Sequence, residues 1–112
     1  MVERVSGVPS RALRYSLTMS RSPLDKIHAM TQAIKDLDRD IDQAQAELGM
    51  LTHIDDDSQR DATVSDHAED RQVARMTASD VVRLERHIQQ LAANRSKVVA
   101  KRSKAVDKLA AG

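Results

Sequence analysis

Residues 53–70 read HIDDDSQRDATVSDHAED and form the densest gathering of acids and imidazoles in this chain. They hold seven acids, one arginine, and the imidazoles of His53 and His67. Oxygen and imidazole donors together hold divalent cations, but the spacing here matches neither the EF-hand loop nor the HExxH helix. No metal ligands are assigned. There is no glycine-rich phosphate loop, no nucleophile elbow and no pair of carboxylates placed for a pocket to enclose. With no cysteine, thiolate chemistry and disulfides are also excluded. The chain therefore reads as non-enzymatic, without a cofactor or a small-molecule substrate. Two readings of Asp55, Asp56, Asp57, Asp66, Glu69 and Asp70 remain: a solvated connection that opposes aggregation, or an acidic tip that meets a basic partner.

The flanks of this stretch decide where it sits. Upstream, Ser22 can cap a helix, Pro23 suits its first position and Asp25 its first turn. From there Ile27, Met30, Ile34, Leu37, Ile41, Ala44, Leu48 and Leu51 recur at alternating spacings of three and four. Eight such positions without a charge predict a coiled-coil helix over about 23–53. Gly49 weakens it without breaking the register. Downstream, Thr77 or Ser79 can cap, and Val81, Leu84, Ile88, Leu91, Arg95, Val98, Arg102, Ala105 and Leu109 predict a second helix over about 77–110. Residues 55–75 are then an acidic connection, with room for one helical turn near 66–75.

One antiparallel register serves both stripes. If paired residue numbers sum to 132, Leu51 faces Val81, Leu48 faces Leu84, Ala44 makes room for Ile88, and Ile27 meets Ala105. Arg95 and Arg102 are the misfits. Their stems can cover the seam while the guanidiniums reach outward, Arg95 toward Asp36 or Asp38, or they can set register and oligomeric state. A carboxylate neighbour is expected for each, since an unpaired buried arginine is costly. A parallel dimer of extended chains is the competing arrangement.

Composition supports thin helices over a globular core. The 112 residues include one aromatic, Tyr15, and 31% are charged. Charge is sorted along the chain: residues 1–22, 23–54, 55–75 and 76–112 carry +3, −3, −4 and +5, which accounts for the net +1. A lone two-helix hairpin is a poor core and commonly gains stability by association. Leu24, Ala92, Val99 and Val106 form a second apolar stripe beside the seam, so dimerisation into a four-helix bundle is expected. Residues 1–22 read as a flexible basic tail; their start lacks the apolar run of a secretory signal, and a transit peptide is the lesser alternative. No apolar run approaches the roughly 20 residues that span a bilayer.

The segment Ser65–Asp66–His67–Ala68–Glu69–Asp70 resembles the S-E-N-A-E-Y element at the coiled-coil tip of Gre-type transcript-cleavage factors. Ser65, Asp66, Ala68 and Glu69 carry the likeness, with Asp66 at a tip-acid position. Those factors insert an antiparallel hairpin into the secondary channel of RNA polymerase, and their tip acids help hold a catalytic magnesium. The resemblance implies a hairpin tip and RNA polymerase as a partner. Where that family has G-D-L, this chain has Ala62, Thr63 and Val64, so one of the expected acids is missing.

The other end is basic. RSKVVAKRSKAVDK places Lys97, Lys101, Lys104 and Lys108 on a helix that could hold polyanions, including nucleic acid, without sequence specificity. It lacks stacking aromatics and groove-reading motifs. The sequence thus predicts an all-α, antiparallel two-helix hairpin acting as a cytoplasmic protein-interaction or adaptor module. Polymerase binding through the acidic tip and polyanion binding through the basic end are the alternatives.

Overall fold

The structure is a computed structural model that describes residues 22–112; the expected basic tail lies, apart from Ser22, outside the described residues. Two helices make up nearly all of it: α1, Pro23–Val64, and α2, Ala68–Ala111. Ser22 caps α1 as expected, its Oγ accepting from the Asp25 amide at 3.1 Å. Gly112 ends α2, its amide donating to the Lys108 carbonyl at 3.1 Å. At about 1.5 Å per residue each helix is about 60 Å long, well beyond a 30-residue arm.

The acidic connection is the principal correction. α1 does not stop near 53 but runs through the Asp55–Asp57 cluster to Val64, and α2 starts at Ala68 instead of 77. Only Ser65, Asp66 and His67 lie between the two helices. Asp66, the centre of this turn, is half of 132, so the register inferred from the stripes already required a reversal there. Local pairs support the extended helix. Gln59 donates to Asp55 at 3.0 Å, Arg60 pairs with Asp57, and His53 lies 3.8 Å from Asp57 across one turn. Such exposed pairs are each worth only a few tenths of a kcal/mol.

The larger reason is that the heptad frame never ends. Asp55, Ser58, Ala62 and Ser65 continue the seam of α1, and Asp70, Ala74 and Thr77 continue that of α2; each is buried or half-buried while its neighbours are mostly exposed. Ser58 and Ala74 pack where the frame sets them opposite, and both are buried. Four cross-helix contacts share this register within one residue: Asp55 with Thr77, Gln59 with Ala74, Asp38 with Arg95, and Thr31 with Arg102. The sequence-derived antiparallel pairing therefore holds along the whole rod.

The apolar seam is thin. Ile27, Ala44 and Ala74 are the buried hydrophobic residues, and Leu48, Leu51, Leu84, Ile88 and Leu91 are half-buried. Gly49 sits within α1 with open space where a side chain would be and no positive φ, and the helix runs on through it to Val64.

Candidate interaction surfaces

Three surfaces follow from this frame: the tip, and the two flanks of the seam. The acids expected at the tip do not form one cluster. Asp66 lies in the turn and Glu69 in the first turn of α2, both exposed, and Asp61 joins them near the end of α1. Asp56 and Asp57 are exposed but about 12 Å down the shaft, about two turns of helix before the reversal. Asp55 and Asp70 take seam positions and are half-buried. Asp55 accepts from Thr77 Oγ1 at 2.8 Å and from Gln59 Nε2 at 3.0 Å, so it helps hold the hairpin shut. Gln59 Nε2 also donates to the Ala74 carbonyl at 2.9 Å. The distal third of the seam is thus closed by small residues and hydrogen bonds.

The cross-helix roles of Thr77, Gln59 and Thr31 do not show in the apolar stripes, though carrying the heptad one turn further places Thr77 opposite Asp55. Among the described residues, no three His, Asp or Glu side chains converge on a point where a metal ion would fit. His53 belongs to the shaft and His67 to the turn. No described helix is long and apolar enough to cross a membrane.

Arg95 resolves toward Asp38, with Nε donating to Oδ1 and Nη2 lying 3.4 Å from Oδ2. Asp36 is engaged elsewhere, with Gln32 and Arg39 on its own helix. The Arg95 side chain remains 41% exposed, so its head is wet while its stem covers the seam. Arg102 does not find the expected carboxylate; its Nε donates to Thr31 Oγ1 at 2.7 Å. Its register sets it beside Thr31 of α1, whose hydroxyl in turn donates to the Ile27 carbonyl. Both arginines lean to the same flank.

That flank carries the second apolar stripe. Leu24 is 52% exposed, Val99 and Val106 are each 38% exposed, and Ala92 is also open. Along α2 the line Ala92, Ser96, Val99, Ser103, Val106 and Ala110 has no charge, and every member is exposed. Between Val99, Val106 and Ile34 runs a shallow groove edged by the charged side chains of Lys35, Arg95, Arg102 and Asp107.

No protein-family model matches this chain, and comparison with curated proteins and with solved structures found no match. The surfaces must therefore be read from their own chemistry.

Lys97, Lys101, Lys104 and Lys108 are exposed. Among the described residues the ion pairs use arginine or histidine as the cation, and these four lysines enter none. Beyond the flank residues already expected, the distal half exposes Met50, Ile54, Val64, Val73, Met76 and Val82. These apolar side chains lie off the heptad seam and among acids, which hides them from a search for stripes.

Proposed function

We propose that this chain is a cytoplasmic, non-enzymatic helical-hairpin module for protein interaction and assembly, which dimerises through the Leu24–Ala92–Val99–Val106 flank. The observation that carries this reading is the uncharged, exposed line from Ala92 to Ala110, outside a seam whose positions are already filled. Exposed apolar side chains gathered on one uncharged line, rimmed by charged ones, are the pattern of an association site. A thin seam adds motive, because a second layer of helices would bury what the first leaves wet. The acidic tip is then free to meet a basic partner. Sorted charge of this kind would act mainly on the rate of capture and would weaken as salt rises.

Val99→Glu is expected to weaken the dimer by at least about tenfold, roughly 1.4 kcal/mol, while the helical signal in circular dichroism stays unchanged. Sedimentation equilibrium reads the association constant directly. A native chain that remains monomeric at tens of micromolar would remove the dimer from this reading.

A second reading has its own observation. Ser65, Asp66 and His67 are the turn itself, so the residues resembling the tip element of the Gre-type factors stand at the tip of an antiparallel hairpin here too. On this reading the partner is RNA polymerase. Immobilised polymerase should retain the wild-type chain and lose about tenfold in affinity for the Asp66→Ala, Glu69→Ala variant. Equal retention of the two would discard the polymerase reading and leave the assembly module standing.

A further inference from the structure

The lysines of the basic helix have a partner that the linear sequence separates from them by some seventy residues. Lys97, Lys101, Lys104 and Lys108 fall at spacings of four, three and four, which places them on one stripe of α2 about 16 Å long. The antiparallel register brings Lys26 of α1 level with residues 106 and 107, on the same side of the seam. Lys26, Lys104 and Lys108 indeed line one notch at the base of the rod, with Met30 and Leu109 as its floor. Five lysines from two helices thus share one flank, all exposed and none in an ion pair among the described residues. Asp36 and Asp40 border the patch on its tip-ward side; Asp25 adjoins Lys26 and Asp107 adjoins Lys108, about a sixth to a quarter of a turn from the nearest lysines, and Asp107 also lines the groove beside Val99 and Val106.

We infer that this flank is a rail for the phosphate backbone of duplex nucleic acid, bound without sequence preference. Duplex DNA presents one negative charge per about 1.7 Å of axis, so a 16 Å row of lysines faces an ample number of phosphates. Lysine acts on phosphate as a flexible point charge, which suits backbone contact and not base reading. The flank offers no aromatic side chain on which unpaired bases could stack, which favours a duplex over a single strand. An anionic membrane is the less fitting partner, because Ala93, Asn94, Ala100 and Ala111 fill the places beside the lysines where a membrane-surface helix carries large apolar anchors. The rail lies across the seam from the Val99 stripe, so the dimer reading and this one can fail separately.

The test uses the full chain and a random-sequence DNA duplex, with binding followed by fluorescence anisotropy across a salt series. A Lys26→Gln, Lys97→Gln, Lys101→Gln, Lys104→Gln, Lys108→Gln variant is expected to bind at least tenfold more weakly at low salt. Its slope of log affinity against log salt should flatten by about 4.5, at about 0.9 for each phosphate no longer neutralised. Lys26→Gln alone should flatten it by about 1, as should Lys108→Gln. Circular dichroism should show every variant as helical as the wild type, since these side chains make no ion pair among the described residues. An unchanged affinity in the five-lysine variant overturns the rail. So does a wild-type chain that binds phosphatidylserine vesicles but not the duplex. A Lys26→Gln variant with the wild-type slope, beside weakened α2 variants, overturns its two-helix construction.

Discussion

A chain carrying Leu48→Cys and Leu84→Cys is expected to close a disulfide within itself under mild oxidation and to gain about 4 kcal/mol of stability. The two positions sum to the common register, and the cross-helix contacts of Asp38 with Arg95 and Asp55 with Thr77 bracket them on either side. Facing seam positions bring their side-chain stems into the range a disulfide requires. The link would close a loop of about 36 residues, and the chain-entropy relation gives close to 4 kcal/mol for such a loop. The sequence has no cysteine of its own, so each product is unambiguous. Non-reducing electrophoresis should show a faster-running monomer, and a thermal melt should rise on oxidation and fall back on reduction. A parallel pairing of extended chains makes the opposite prediction: Leu48→Cys alone would cross-link two copies at the same position. Efficient covalent dimers from that single variant, with no internal link in the double variant, would refute the hairpin.

Much of this fold was legible because the seam residues obey one arithmetic. Ile27 through Leu51 and Val81 through Leu109 define both stripes and the pairing between them, and the observed cross-helix contacts keep that pairing. Residues 55–75 are where composition and spacing point to different structures. Seven acids and a drop in apolar content resemble a loop, yet Asp55, Ser58, Ala62, Ala74 and Thr77 stand on the same heptad positions as the leucines before them. A helix tolerates them there because Asp55 is hydrogen-bonded to Thr77 and the alanines are small. A pattern search for large apolar residues cannot see such a seam. The acids expected together at the tip are likewise spread along the shaft, with Asp55 and Asp70 half-buried at seam positions.

The partner of Arg95 was within reach of the sequence, because Asp38 stands on the seam-edge position of α1 that an arginine stem crossing from α2 would meet. Arg102 was harder. Charge logic called for a carboxylate, whereas the equivalent edge position holds Thr31, and a half-exposed guanidinium can leave the rest of its hydration to water. The lysine rail was half legible: four of its members are a sequence pattern, but Lys26 joins them only through the fold.

The second large effect is expected at the place where the helices close on small residues. Ala74 is 5% exposed and faces Ser58, itself buried, and its carbonyl accepts from both Gln59 at 2.9 Å and Thr77 at 3.2 Å. Ala74→Leu inserts three further carbons where there is no room, so α1 and α2 must separate locally. Overpacking of this kind typically costs about 1–3 kcal/mol. Separation would also stretch the Gln59 hydrogen bond and the Asp55–Thr77 hydrogen bond, each worth about 1 kcal/mol net. The expected loss is thus about 3–5 kcal/mol, concentrated in the distal third because the rest of the seam keeps its leucines and isoleucines. Ala93→Leu is the control: that alanine is exposed on the outer face of α2, and the change there should stay within about 0.5 kcal/mol. Amide hydrogen exchange separates the effects by position, since local opening is read residue by residue. Residues 55–64 and 68–77 should lose protection in the Ala74→Leu variant while residues 30–48 and 84–102 keep theirs. Uniform loss along both helices would mean that the hairpin opens as one unit, and full protection throughout would mean that the polar seam has slack the packing does not reveal.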